Sequence, residues 1–463
     1  MRREMKKKTI WLILSCFLVL SLLFASCAPA VTGEEEVAPP EKEEVVTEEE
    51  EAAPTEEEVV IEEDAVTEQE TPASEEIPAT TPTPAPTPTP TPTPKSTPVL
   101  VSGDWVQVMS GGFDDMMNSS ISEFKVFKGQ LYAATTRLET TSLDPPKRVP
   151  YSGAAQLWHS EDGQTWSRIT SFYPPPPQSC KGIYSMETSG QDEEFLYVGF
   201  SSGVGVGPLY RSADGKNFQQ INGSESGFDV TGATGGLSLA VKETRGKKYL
   251  YVGGFNSPGR VWRILYDATS GWEKVLDSAS VDATVIGVTY IYVWEDTLYV
   301  GTHAGKGCKL FQSTSGDPGT WKKNAGVGNG WGVPLNHDIA AMVEFNKFLY
   351  ATTINVKTGG QIWRTLDGQQ WQQVVNDGLG NPKNHEPHRF AVAQGKLWVT
   401  FFSETPSQVW CSDDGLQFVQ SNLDGFGDPG ITGGYPRIIE FGGTMYWGGS
   451  KPKAGAQIWR LAP

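Results

Sequence analysis

The stretch Gln361-Ile362-Trp363-Arg364-Thr365-Leu366-Asp367-Gly368-Gln369-Gln370-Trp371-Gln372-Gln373-Val374 holds in one piece a unit that recurs through the chain. It reads as an apolar strand, an Asp-Gly turn and an aromatic strand. Asp-Gly between two such runs is a strong hairpin signal, because Gly takes positive φ without cost and Asp bonds neighbouring amides. The turn recurs as Ser160-Glu161-Asp162-Gly163-Gln164-Thr165-Trp166, Ser212-Ala213-Asp214-Gly215-Lys216-Asn217-Phe218 and Ser412-Asp413-Asp414-Gly415-Leu416-Gln417-Phe418. From Ser313 to Trp321 it is longer, and from Tyr266 to Trp272 the pattern is lost.

Outward from the turn the neighbours repeat as well. The strand ahead of it carries Leu157-Trp158, Leu209-Tyr210, Val261-Trp262, Leu310-Phe311, Ile362-Trp363, Val409-Trp410 and Ile458-Trp459, at steps of 47 to 52 residues. The strand before that carries Leu131-Tyr132, Leu196-Tyr197, Leu250-Tyr251, Leu298-Tyr299, Leu349-Tyr350, Leu397-Trp398 and Met445-Tyr446. Four strands repeated at this period predict an all-β fold, a β-propeller. The fourth-strand aromatic occurs six times downstream, and Asp104-Trp105-Val106-Gln107-Val108 at the front matches Gln370-Trp371-Gln372-Gln373-Val374. The expectation is a seven-bladed propeller over residues 99–463. Its N-terminal strand lies beside Gln457–Arg460 and closes the last blade, which removes an open sheet edge.

The turns resemble the Asp-box of BNR-repeat propellers of the sialidase superfamily, one residue short of the usual spacing; the period is also that of kelch-type propellers. The resemblance implies that Asp162, Asp214, Asp367 and Asp414 are structural turn residues, away from the active face, and neither acids nor calcium ligands.

Charge divides the chain. Residues 1–30 carry +4 and residues 31–98 carry −18, which leaves −4 of the total −18 for 99–463. The folding part is nearly neutral, so it lacks the clustered cations of a nucleic-acid surface, and no nucleic-acid partner is expected. A cationic start (Arg2, Arg3, Lys6, Lys7, Lys8) precedes the apolar run Ile10 to Phe24, the pattern of an export signal. Leu23-Phe24-Ala25-Ser26-Cys27 resembles a bacterial lipobox, with Phe24 where Leu is usual. The resemblance implies cleavage after a signal peptide of residues 1–26, acylation of Cys27 and membrane anchoring; a plain secretory signal is the alternative. Residues 27–98 read as a disordered stalk. Glu34 to Glu76 has no aromatic residue and repels itself, and the Thr-Pro alternation from Thr80 to Pro94 favours a polyproline rod. The domain is therefore expected outside the cytoplasm, as a monomer.

Loops around a propeller channel share one face. His303, His337, His385 and His388 fall in such loops of neighbouring repeats. Asn336-His337-Asp338 and Asn384-His385-Glu386 each end eleven residues before their second strands, and Arg389 and Arg437 each stand eight before theirs. Three readings stay open. Imidazole with carboxylate suits zinc or another divalent ion, with His337, His385 and His388 as ligands. Paired guanidinium groups suit a carboxylate, although sialidases use three arginines and only two are placed here. Otherwise these groups line a wet channel. A hydrolase would draw on His337, His385, Glu386 and Arg389, and a binding module on all of these with His303, Asp338, His388 and Arg437 for a glycan, polymer or partner protein. Trp331, in Gly-Asn-Gly-Trp-Gly, is expected to be exposed and able to stack on a sugar. The long loop Thr136 to Ala155 and the prolines Pro174–Pro177 are further candidates for binding. Of Cys180, Cys308 and Cys411, the first two are a conceivable bridge across the channel.

Overall fold

The computed structural model describes residues 105–137, 140–141, 147–148, 153–190, 192–202, 206–222, 237–255, 258–403 and 405–462, all within one compact unit. The expected signal peptide, Cys27, the stalk and most of the Thr136–Ala155 loop lie outside the described residues. Among the described residues no helix is long and apolar enough to cross a membrane.

The fold is all-β. Antiparallel four-stranded sheets follow one another along the chain: Leu237–Thr244 to Glu273–Asp277, Val285–Trp294 to Lys322–Lys323, Ile339–Phe345 to Trp371–Val375, and Glu386–Ala393 to Val419–Gln420. Ahead of them, two such groups are fused through a bridge between Thr136 and Gly182 into one nine-stranded sheet. Its ninth strand, Ser171–Tyr173, leaves the repeat and pairs in parallel with Asn217–Gln220. The last sheet runs Arg437–Phe441, Thr444–Lys451, Gly455–Leu461, and its fourth strand is Trp105–Met109 from the front of the domain, with Trp105 opposite Leu461 and Gln107 opposite Trp459. The first strands of successive sheets touch in order, and Asn118–Phe127 touches Arg437–Phe441, so they form a ring. Together they line a cavity of about 710 Å³, with Glu123, Tyr184, Ala240, Tyr290, Val343, Arg389 and Ile439 on its wall. This is a β-propeller arrangement.

The core lies between sheets. Each hydrophobic cluster combines two neighbours; one joins Ile121, Phe124 and Leu131 near the front of the domain to Tyr446, Ala456 and Ile458 at its end. The Leu-Tyr pairs owe their repetition to this packing. Tyr132, Tyr251, Tyr299, Tyr350 and Tyr446 are buried, and their hydroxyls sit where a Cβ would stand on Gly215, Gly316, Gly368, Gly415 and Gly163 of the next sheet's turn. These turn glycines have φ near +70°. Gly is therefore required at this position twice over, by the left-handed backbone and by the neighbour's phenol. The contact from Tyr446 to Gly163 crosses from the last sheet to the first.

In the turns, Asp162 Oδ1 accepts from the amides of Gln164 (2.7 Å) and Thr165 (2.6 Å), and Asp214, Asp367 and Asp414 make the same pair of bonds. Those amide bonds favour the carboxylate and hold Asp162 down at about 2.

Cys180, Cys308 and Cys411 are all free and buried. The conceivable Cys180–Cys308 bridge is not formed. Cys180 begins a first strand of the second sheet, whereas Cys308 hydrogen-bonds Asn336 in the connection between the fourth and fifth repeats.

Candidate functional site at the channel mouth

The connections between sheets use a recurring device. In Gly112-Phe113, Gly330-Trp331 and Gly425-Phe426 both residues have positive φ, and the aromatic ring lies flat on the third-strand Trp of the sheet that follows. Phe113 stacks on Trp158 at 4.4 Å, Trp331 on Trp363 at 5.1 Å and Phe426 on Trp459 at 4.8 Å. Trp331 is thus a half-buried packing residue, which corrects the expectation of an exposed sugar-stacking ring. Six residues after Gly112, Gly330 and Gly378, the last followed by Leu379 and not by an aromatic, comes a buried Asn. Asn118, Asn336 and Asn384 each donate to that glycine's carbonyl and to Gln156, Gln361 and Gln408. The Asn of both matched triplets is therefore a structural latch.

The residues after the latch reach the mouth. Ala304 N donates to His337 O at 3.0 Å, and Asn355 N donates to His385 O at 2.9 Å, so each triplet is pinned to the end of a second strand. From matched positions the side chains find different partners. Asp338 bonds His303 Nδ1 of the preceding sheet at 2.8 Å. Glu386, 8% exposed, bonds Nδ1 of His388, 7% exposed, on its own strand. His337 and His303 rings lie 6.4 Å apart, and His385 packs edge-on against Phe402 at 5.3 Å.

The imidazoles of the two acid–imidazole pairs are shifted in opposite directions. Burial lowers the His303 pKa, but the hydrogen bond and charge of Asp338 outweigh it, and the net shift is upward. Burial, with the charge of Asp338 added, pushes Glu386 up to about 8, although Arg389 and Arg437 act against this. Burial, then the charges of Arg437 and Arg389, depress His388 well below its ordinary value. At neutral pH Glu386 is mostly protonated and His388 neutral. In those states the carboxyl donates to Nδ1, and Nε2 carries the remaining hydrogen with no partner among the described residues.

Arg437, 2% exposed, and Arg389 both approach Glu123. Arg437 Nε is 3.3 Å and Arg389 Nη2 3.8 Å from the same oxygen. Arg389 also lies over the Tyr290 ring at 5.5 Å. Tyr435, 40% exposed, stacks on Phe402 at 5.2 Å and lies 5.3 Å from His388 and 6.3 Å from Tyr184. Burial pushes the phenols of Tyr184, Tyr290 and Tyr435 up, so they stay neutral.

His303, His337, Asp338, His385, Glu386, His388, Arg389 and Arg437 therefore share one neighbourhood, and Trp331 stands apart, half-buried against Trp363 and Trp371. The expected metal ligands His337, His385 and His388 do not converge. Among the described residues no group of three His, Cys, Asp or Glu is placed to hold an ion. The reason is local: His385 turns to Phe402 while His388 turns to Glu386. The sequence reading passed over Glu123, Tyr184, Tyr290, Phe402 and Tyr435. A signal existed for two of them, because Glu123 and Tyr290 stand eight residues before Leu131 and Leu298, the spacing that singled out Arg389 and Arg437.

No family model matches the chain, and no curated protein matches it. Among solved structures it is similar to a puromycin-hydrolysing peptidase of Mycobacterium tuberculosis, at 12% identity and TM-score 0.45, over 79% of this chain and 55% of that one. It is also similar to Trypanosoma rangeli sialidase in complex with sialic acid, at 13% identity and TM-score 0.40, over 75% and 57%. A third is an α-L-arabinofuranosidase of Clostridium thermocellum, at 12% identity and TM-score 0.34, over 57% and 95%. The chain spans about half the length of the first two. Likeness at this level says nothing about chemistry.

Proposed function

We propose that this is an exported lipoprotein, held to a membrane by acylated Cys27, in which the acidic and Thr-Pro stalk carries a seven-bladed β-propeller. The propeller acts as a recognition module for an extracellular glycan, polymer or partner protein that meets the channel mouth. One observation supports this reading above others: the buried His388 Nε2 has no partner among the described residues and lies beside the exposed ring of Tyr435. A buried polar group is ordinarily satisfied, so an orphan at a cavity mouth marks a place for a ligand atom. The test is capture of envelope glycans and proteins on the immobilised full chain. His388→Ala and Tyr435→Ala should each weaken capture at least tenfold, and unchanged capture in both would remove the mouth as the site. Cys27→Ser should release the protein from the membrane fraction.

A second reading, a carbohydrate-active hydrolase, is favoured by Glu386, whose carboxyl keeps its proton near neutral pH as a general acid must. Under that reading Glu386→Gln abolishes turnover of chromogenic glycosides. Under the first it only modifies affinity.

A further inference from the structure

We propose that His303 and Asp338 form a hydrolytic centre at the channel mouth, in which His303 Nε2 draws water onto the carbonyl of a carboxylic ester. The inference goes beyond the recognition reading and uses neither His388 nor Tyr435.

Of the two acid–imidazole pairs at the mouth, this one leaves a ring nitrogen open. Asp338 Oδ1 lies 2.8 Å from His303 Nδ1. A carboxylate so placed accepts the Nδ1 hydrogen, which leaves the lone pair on Nε2. That nitrogen makes no hydrogen bond among the described residues, and the His303 side chain keeps 23% of its surface open to solvent. His388 is the contrast. Its Nδ1 is likewise held, by Glu386, but its Nε2 is shut away from water.

The dyad is held rigidly. His303 stands next to the end of the second strand Thr297–Ala304, and Asp338 pairs with it in an isolated antiparallel bridge. Ala304 N donates to His337 O and Cys308 N to Asn336 O, which pins the bridge to its own sheet. From the preceding sheet the Phe255 ring lies 5.2 Å from that of His303. A base fixed at strand ends needs little ordering before it acts. The same bridge brings in His337, whose ring lies 6.4 Å from that of His303 and whose Nε2 is buried without a partner among the described residues. An idle imidazole N–H beside the base suits a carbonyl oxygen that gains negative charge.

The step follows from these groups. Water adds to the ester carbonyl carbon while Nε2 takes one of its protons, and Asp338 stabilises the imidazolium that forms. The carbon–oxygen bond to the alcohol then breaks. The imidazolium returns the proton to the departing oxygen, so the acid and the alcohol are released and the dyad is unchanged. Burial lowers the His303 pKa, but Asp338 outweighs it, and the net upward shift makes Nε2 a better proton acceptor. A glycosidic bond fits less well, because its cleavage uses two carboxyl groups flanking the bond, and Asp338 is engaged at Nδ1.

The experiment is hydrolysis of p-nitrophenyl acetate by the full chain in detergent, compared with free imidazole at equal concentration. The parent should turn over saturably and about a hundredfold faster than the free base, and His303→Gln should lose that advantage. His337→Gln should lower kcat about tenfold with KM little changed. Asp338 acts through His303, so Asp338→Asn should both slow turnover and move the rise of rate with pH to lower pH. Asp338 and His337 are the titratable groups against His303, and from the preceding sheet it meets Phe255. His159→Gln, at a ring bonded to Gln130 elsewhere, should leave the rate unchanged. A parent no faster than free imidazole overturns the proposal, as does a His303→Gln variant that keeps the rate. Should His303→Gln not fold, the pH profile decides, and a rise unmoved in Asp338→Asn overturns it. Such a failure leaves the earlier tests untouched, since capture reads His388 and Tyr435 and glycoside turnover reads Glu386.

Discussion

At the turns between third and fourth strands one contact is made five times, four of them at Asp-Gly and one at Ser315-Gly316: a Tyr hydroxyl against a turn glycine of the next sheet. At the channel mouth, positions in equal register make different contacts. Asp338 reaches back to His303, whereas Glu386 turns to His388; Arg389 and Arg437 converge on Glu123, which stands in the same register as both. Repetition at one end builds the ring, because every sheet must pack on its neighbour in the same way. Divergence at the other end collects unlike charges in one place, which no single repeat could do.

The comparison can be broken most severely at the closing strand. A chain that begins after Met109 leaves Gly455–Leu461 with an open edge and strips Met109 from the cluster joining the two ends. It should lose its cooperative calorimetric transition and aggregate; a sharp transition near the parental temperature would show that the closure is dispensable. Next comes a single turn. Gly215→Ala puts a methyl group onto the Tyr132 hydroxyl at φ +72° and should cost about 2–4 kcal/mol. Adding Tyr132→Phe should recover part of that loss in denaturant unfolding, and no recovery would mean that the phenol is not the obstacle. Trp331→Ala removes the stack on Trp363 and should cost about 2–3 kcal/mol, with ligand capture at the mouth unchanged.

Two smaller effects separate the ends by pH. The Glu386 pKa is raised from 4.5 to about 8, so the stability linked to its proton is full below 4.5 and lost as pH rises towards 8. His388, depressed, acts in the opposite sense only below about 6.5. Between pH 6.5 and 8 the parent should therefore lose more stability than Glu386→Gln, whose remaining slope comes from His303, shifted upward by Asp338. Parallel curves would mean that Glu386 is already ionised. Asp162 is depressed from 3.8 to about 2, so its contribution is present above 3.8 and lost as pH falls to about 2. Asp162→Ala should be slightly less stable than the parent at pH 6 and indistinguishable from it near pH 2. The effect is small because the group is exposed to solvent.

Much of the architecture was legible because packing between like sheets demands the same residue at the same place in each. The Leu-Tyr pairs, the Asp-Gly turns and the match of Trp105 to Trp371 are all local patterns with a period. The latch is less regular: the glycine with an Asn six residues on occurs at Gly112, Gly330 and Gly378, and the stacked ring at Phe113, Trp331 and Phe426. It was overlooked at Trp331 because an aromatic among glycines reads as exposed until the facing Trp363 is in place. Histidines drew attention to the mouth, but Tyr435 and Phe402 gave no such signal, since their meeting joins residues 33 apart, one on a second strand and the other in the connection to the next sheet.

What residue order determined by itself was the strand period, the turn chemistry and the pairing of the first strand with the last, since each follows from short-range preference repeated many times. What only the tertiary structure decided was the electrical state of the mouth. Whether Glu386 keeps its proton, and whether Arg389 and Arg437 share one carboxylate or two, depends on burial and on charges from separate sheets. Those quantities exist only once the ring has brought the sheets together.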